Sequence, residues 1–462
     1  MKKIGYEEYL VLPEVVIEKK VPKLTVIKKP DISMLNTLQR DIFDKITSVP
    51  LKQFSQTLLT GYSGTGKSFL VTKIIEELIS RNKYINIAIT APTNKAVRVL
   101  KNLSSICETH PQVEFNTLHS LLGLKRVITY DGKEEFKADY GDGGISSYDI
   151  ILVDEVSMLD NSLYRQLVEL ARYGKKMLLF IGDRGQIPPV NGGESLLFSM
   201  DLTNNFNLED IIRQASGNPI IKIAQLVRTN QPFKHETEVD ADGNGVIFLK
   251  INTEMKLLKT YFDSKNFSVN PNFVKVLAYT NNAVDYYNNK VRGLIYGEGC
   301  PRLNIHEKMV CNKPITDSKN KVILNNNDEF EIVSYTLKTD RTKMKLAYYE
   351  VVVMSDSKAH VIKILAEKSE KVYEKELARL KRYAELAPLM KRRNEWVKYY
   401  RFMGKFANVK YNYALTVHKS QGSTFDNVIV INCDINRMFD AVERNKLLYT
   451  AMTRAKNKLF MI

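Results

Sequence analysis

Gly61-Tyr62-Ser63-Gly64-Thr65-Gly66-Lys67-Ser68 fits the pattern G-x-x-x-x-G-K-[ST], a phosphate-binding loop. Thr57-Leu58-Leu59-Thr60 before it reads as a short buried strand. After it, Phe69, Leu70, Val71, Ile74, Ile75, Leu78 and Ile79 recur at helical spacing. Strand, glycine turn and helix start are the context this loop requires. Glycine lets the backbone take positive φ and approach an anion closely. The N–H groups of the loop, from Gly61 through Ser63, Gly64, Thr65 and Gly66, then face phosphate together with the helix N-terminus. Lys67 is expected to reach the β- and γ-phosphates of ATP, and Ser68 to ligate Mg²⁺.

Further along, Ile150-Ile151-Leu152-Val153 is a continuous apolar run, as in a parallel sheet covered on both faces. It ends in Asp154-Glu155, where such a sheet places metal and water chemistry. Asp154 is expected to hold the metal through water, and Glu155 to orient or deprotonate the attacking water. A third buried strand, Met177 to Ile181, leads into Gly182-Asp183-Arg184-Gly185-Gln186-Ile187-Pro188-Pro189-Val190. Gln186 sits where a side chain can sense the γ-phosphate.

Upstream, Gln39 lies on a helix about twenty residues before the loop. It is either an adenine contact or an ordinary helix glutamine. The strand 85–90 turns through Pro92-Thr93-Asn94 into a helix, and Thr117, His119 and Ser120 stand near another helix start. Such starts can hold nucleic-acid phosphates or can simply be caps. Residues 125–147 alternate around Asp131-Gly132, a hairpin signal, and read as an insertion projecting from the sheet.

The chain has 462 residues and a net charge of +16. Its pI is about 9.3. This excess favours a polyanionic partner, although a solvated basic surface would show it too. Four scattered cysteines without C-x-x-C argue against a zinc or disulfide framework and for a reducing cytoplasm. No apolar run reaches membrane-spanning length. Residues 1–30 read as an extended arm or a strand pair laid on the surface.

In the second half, residues 274–280, 427–432 and 457–462 read as strands of a second parallel sheet without a phosphate loop. Between them, 308–363 is β-rich and suggests a small barrel. Residues 363–403 are charged and helical, broken at Pro388, with Trp396, Tyr399 and Tyr400 among basic residues. That run reads as a solvated hairpin with an aromatic seam, or as a DNA contact.

Taken in order, Gln39, the 61–68 loop, Ala91-Pro92-Thr93, Thr117-Leu118-His119-Ser120, Asp154-Glu155-Val156-Ser157, Gly182 to Val190 and Arg213-Gln214 resemble helicase motifs. So do Val276 to Asn281, Ala414 to Phe425 and Leu448 to Lys456. The family is superfamily 1B, the Pif1/RecD/Dda branch, and the compact size is most similar to a phage Dda-type enzyme. The resemblance implies an α/β fold of two RecA-like domains, parallel sheets flanked by helices. Domain 1A would span 31–215, with a hairpin insertion 1B at about 120–148. Domain 2A would span 216–305 and 406–462, and an SH3-like β plus helical insertion, 2B, 306–405. It implies a monomeric ATP- and Mg²⁺-dependent DNA helicase moving 5′-to-3′ on single-stranded DNA, in phage replication or recombination, within the host cytoplasm.

Carried over by motif, Gln39, Gln186, Arg213 and Arg454 join the nucleotide site, the two arginines as fingers completing the cleft. Pro92, Thr93, Asn94, Thr117, His119, Ser120, Thr416, His418, Lys419 and Ser420 would hold the strand. Forked duplex DNA is the expected substrate, with replication proteins as further partners. The rival readings are a single-strand translocase without unwinding and a basic single-strand-binding protein with an idle ATP site.

Overall fold

The computed structural model describes residues 29–103, 110–138, 144–188, 195–200, 202, 204–208, 217–249, 253–317 and 322–462. The N-terminal arm, apart from its last two residues, lies outside them. The first lobe runs α1 (Thr37–Thr47), β1 (Ser55–Gly61), α2 (Lys67–Arg81), β2 (Ile87–Ala91), α3 (Asn94–Leu103) and β3 (Val113–Thr117). It continues through a hairpin of β4 (Leu124–Ile128) and β5 (Glu134–Ala138) to β6 (Ile150–Val153), α4 (Asn161–Tyr173), β7 (Met177–Gly182) and β8 (Asn204–Leu208). The strands outside the hairpin form one parallel sheet in the order β3-β2-β6-β7-β1-β8. Every residue of β6 and β7 is buried, because helices cover both faces.

The second lobe contains α5 (Pro219–Arg228), β9 (Glu238–Val239), β10 (Gly245–Phe248), α6 (Glu254–Phe262), β11 (Val274–Ala278) and α7 (Asn281–Tyr296). An insertion follows: β12 (Lys308–Cys311), β13 (Ile315–Thr316), β14 (Val322–Leu324), β15 (Glu329–Thr339), β16 (Ala347–Ser355), β17 (Lys358–Leu365), α8 (Glu370–Leu386), α9 (Leu389–Met403) and β18 (Val409–Tyr411). The chain returns as β19 (Ala414–Thr416), β20 (Phe425–Val430), α10 (Ala441–Met452) and β21 (Ala455–Met461). The second sheet has the order β19-β11-β20-β21-β10-β9, parallel except for β9. The fold is thus the two-lobed α/β arrangement that the motifs implied.

Strands β3, β8 and β10 are among those with no counterpart in the sequence reading. Two of them, β3 and β8, are sheet edges, half wetted and therefore polar, as in Asn204-Asn205-Phe206-Asn207-Leu208. They carry no continuous apolar run to find. The helical reading from 363 is corrected at its start: Lys363 to Leu365 belong to β17, and α8 begins at Glu370. The insertion's main sheet is antiparallel, in the order β17-β16-β15-β12-β18. Ala407 N–H donates to Lys363 O at 2.7 Å, so the two ends of that sheet meet.

Each lobe has its own apolar core, yet one residue crosses over. Ile187, on the segment after β7, packs with Ile220, Val227, Leu448 and Val417 of the second lobe and is 2% exposed. The hairpin is held from two sides. His119 meets Phe136 edge-on at 4.8 Å. At the turn, Gly132 has φ +81°, and a Cβ there would lie 2.3 Å from Trp396 of α9. Tyr400 Oη donates to Gly132 O at 2.7 Å, and Arg126 lies over the Tyr400 ring. The aromatic seam of α9 therefore packs on the hairpin.

Candidate nucleotide cleft and strand-binding face

The phosphate loop follows β1 directly. Gly64 and Gly66 take φ values of 83° and 78°, which side-chain-bearing residues rarely adopt. At Gly61 a Cβ would sit 2.7 Å from Thr65 Oγ1, so the loop closes on itself only with glycine there. Lys67 Nζ donates to Gly61 O at 2.6 Å and Tyr62 O at 2.8 Å. Thr65 Oγ1 donates to Tyr62 O. Gln39 is buried, with both ends of its amide engaged. Its Oε1 accepts from Asn36 N–H in a capping box, and its Nε2 donates to Thr65 O at 3.2 Å. It steadies the loop from behind rather than standing open to a base.

Across a cavity of about 370 Å³ the walls come from both lobes. The first lobe supplies Ser63, Gly64, Gly66, Lys67, Ser68, Asp154, Glu155 and Gln186; the second supplies Gly422, Thr424, Thr453 and Arg454. Arg454 is buried and held by its own lobe: Nε donates to Thr450 O and Nη1 to Ser423 O. Arg213 lies outside the described residues. Gln186 Oε1 is buried without a hydrogen-bond partner and belongs to the same cavity wall.

Glu155 has φ 53°, a left-handed turn that sets its side chain beside Asp154. Burial first, then the Asp154 charge, pushes the Glu155 carboxyl up to about 7; Arg454 and Lys67 pull the other way. Asp154 is also raised by burial, against the Glu155 N–H and Lys67. Two neighbouring carboxylates out of water resist being ionised together.

At the carboxyl ends of their edge strands, the two sheets finish alike. Thr117 Oγ1 accepts Ser120 N–H to cap a short helix after edge strand β3. Thr416 Oγ1 accepts Lys419 N–H to cap another after edge strand β19. Each turn carries a histidine, His119 and His418, whose pKa burial lowers, against Asp160 and Glu443 respectively. Thr93 caps α3 by accepting Ala96 N–H, with Pro92 and Asn94 half-buried beside it. One residue needs correction as a surface contact, and another has a partner within the protein. Ser420 is fully buried and donates to Val417 O, closing the turn. Lys419 Nζ donates to Asn312 Oδ1 of the insertion, and burial lowers its pKa, with Lys410 adding to the effect.

The AAA domain family matches residues 34–244, and the UvrD-like helicase C-terminal domain matches 411–462. ATP-dependent DNA helicase dda of Enterobacteria phage T4 is 26% identical over 92% of this chain and 98% of its own. The ATP-dependent RecD2 DNA helicase of Deinococcus radiodurans is 26% identical over 87% of this chain and 46% of its own. Along most of its length the chain is similar to helicases of the Pif1/RecD/Dda branch of superfamily 1B. In fold, this helicase is similar to a solved Pif1 helicase, described as unwinding forked double-stranded DNA, at a TM-score of 0.51. The likeness has 16% identity and covers 92% of each chain.

The sequence reading missed a repeat that runs through this helicase. Ala91-Pro92-Thr93-Asn94-Lys95-Ala96-Val97 and Ala278-Tyr279-Thr280-Asn281-Asn282-Ala283-Val284 share A-x-T-N-x-A-V. Each follows the strand next to the edge, β2 or β11, and Thr280 caps α7 as Thr93 caps α3. The copies differ in one respect. Asp434 accepts from Tyr279 N–H, Thr280 N–H and Thr280 Oγ1, so in the second lobe these donors are already engaged by an internal carboxylate. Comparing the two halves residue by residue would have found the repeat. Also missed were Tyr449, whose hydroxyl spans the lobes, and Arg228, whose guanidinium lies 3.4 Å from the Tyr62 ring centroid.

Proposed function

We propose that this protein is an ATP-driven motor that moves 5′-to-3′ along single-stranded DNA and unwinds forked duplex. The observation that carries the reading is one cavity lined by Lys67, Asp154 and Glu155 from one lobe and Arg454 from the other. A triphosphate bound there is held from both sides, so it draws the lobes together; hydrolysis removes the shared phosphate and lets them part. Lys67 neutralises the terminal phosphates. Glu155, its carboxyl raised towards neutrality, accepts a proton from the attacking water. Arg454 offsets the charge on the transferring group, and Arg213 is assigned as its companion. Gln186, whose buried oxygen has no hydrogen-bond partner, stands in the wall of the same space.

The residues present fit Mg²⁺. Asp154 and Glu155 are buried carboxylates whose raised pKa values a divalent cation would offset, and the Ser68 hydroxyl lines the same wall. Ser68 and Asp154 would hold the ion, which neutralises phosphate oxygens when bound.

DNA lies across Thr93, Asn94, Thr117 and His119 of one lobe and Thr416 and His418 of the other. The matching turns give each lobe an equivalent grip, and closure moves one grip towards the next. The hairpin 124–138, braced by α9, divides the duplex. On this reading 31–215 is the first motor domain, 216–305 with 406–462 the second, and 306–405 its insertion. The near-full-length likeness to the T4 helicase supports a role in phage DNA replication or recombination. Among the described residues no helix is long and apolar enough to cross a membrane.

Forked duplexes with a single 5′ or 3′ tail test the proposal. Strand separation is expected with ATP on the 5′-tailed fork alone, and Lys67→Ala is expected to abolish it. ATP turnover without separation on either fork would leave a translocase; DNA binding without turnover would leave a binding protein.

A further inference from the structure

We propose that Tyr449 is a positioning residue: its one hydroxyl, shared between the phosphate loop and Asp183, sets where the second lobe holds Arg454. Tyr449 stands on α10 of the second lobe and is 2% exposed. Its Oη accepts from Ser63 N–H at 3.1 Å and donates to Asp183 Oδ2 at 2.7 Å. Both partners belong to the first lobe. A phenol has one proton to give, so accepting from an amide and donating to a carboxylate fixes the direction of both bonds. Burial and then the Asp183 charge push the phenol far above its ordinary range, which keeps that proton in place.

The route from Tyr449 to the arginine is short. Thr453 N–H donates to Tyr449 O, and Arg454 N–H to Ala451 O. The guanidinium donates to Thr450 O and Ser423 O. A shift of the loop at Ser63 therefore reaches the guanidinium through a single helical turn. Adhesion between the lobes comes from elsewhere: Ile187 is buried in the second lobe's core, its N–H donates to Thr450 Oγ1, and its carbonyl accepts from Gln421 Nε2. To that cohesion the Tyr449 hydroxyl adds two directed bonds. Gly185 admits the ring, since a Cβ there would lie 2.9 Å from Tyr449 Cε1 and 3.1 Å from Arg228 Cδ and from Asp183 Oδ1.

The inference rests on the ATP-hydrolysis reading of the cleft. Full-length Tyr449→Phe and Gly185→Ala proteins are compared with the native chain for ATP turnover in the presence of oligo(dT). Affinity for a fluorescent ATP analogue is measured in parallel. Both variants are expected to lose at least about fivefold in kcat, while analogue affinity changes by less than about threefold. A smaller fall in kcat for Tyr449→Phe, or a loss confined to KM, overturns the inference. Asp183→Asn completes a double-mutant cycle, in which losses in kcat and in melting temperature are expected to be non-additive. Additive losses overturn the shared bond. If the native chain hydrolyses no ATP with DNA present, the reading of the cleft fails, and the melting-temperature cycle alone then decides whether the bridge exists.

Discussion

Lys67, Glu155 and Arg454 meet one cavity from three different elements, and each is expected to fail in its own way. Lys67→Ala should lose both nucleotide affinity and turnover, because the lysine contacts phosphate before and during reaction. Glu155→Gln keeps the shape and removes the proton acceptor. It should bind ATP while turnover falls roughly 10²- to 10⁴-fold, the range for a lost general base. Arg454→Ala should lower kcat by about 10³-fold or more with little change in binding, as for an arginine finger. Paired equilibrium binding and turnover measurements check all three. An Arg454→Ala protein as fast as the native chain would show that the second lobe takes no part in the chemistry.

Elements carry the link between chemistry and mechanical work. The 124–138 hairpin has only two strands and no core, so its direction depends on what braces it. Trp396 and Tyr400 supply that brace at Gly132. Trp396→Ala should therefore reduce unwinding of a forked duplex several-fold, and DNA-stimulated ATP turnover should stay close to native. Equal losses in both assays would place the effect in the motor instead. The wedge after β7 is the second such element. Ile187→Ala removes a fully packed side chain and should cost about 2–5 kcal/mol where the lobes meet. The expected signature in calorimetry is two separated melting transitions in place of one. β3 and β8 were illegible in the sequence for a physical reason: edge strands are half wetted, so their polar residues hide the pattern that made β6 and β7 plain.

At the scale of the whole molecule, charge and topology act together. A net charge of +16 should give single-strand binding a steep salt dependence. Each lysine or arginine that meets a phosphate contributes about −0.7 to the slope of log K against log salt for single strands. Lys419 already donates to Asn312. Lys419→Ala should therefore leave that slope unchanged, and a slope shallower by about 0.7 would return Lys419 to the DNA. His119 and His418, kept neutral by burial, should likewise lower affinity when replaced by alanine without altering the slope.

The sequence alone determined the local chemistry: the phosphate loop at 61–68, the Asp154-Glu155 pair at a strand end, and two parallel sheets in order. These are legible because strand, turn and helix start are contiguous, and local geometry depends on near neighbours. Tertiary structure decided the rest. It set Arg454 across from Lys67, committed Gln39 to the back of the loop, buried Ser420, engaged Lys419 and joined Tyr449 to Ser63. All of these depend on residues tens to hundreds of positions apart, and nothing in local spacing encodes which of them will share a space. Burial and hydrogen-bond partners are properties of the packed lobes, and only the packing could assign them.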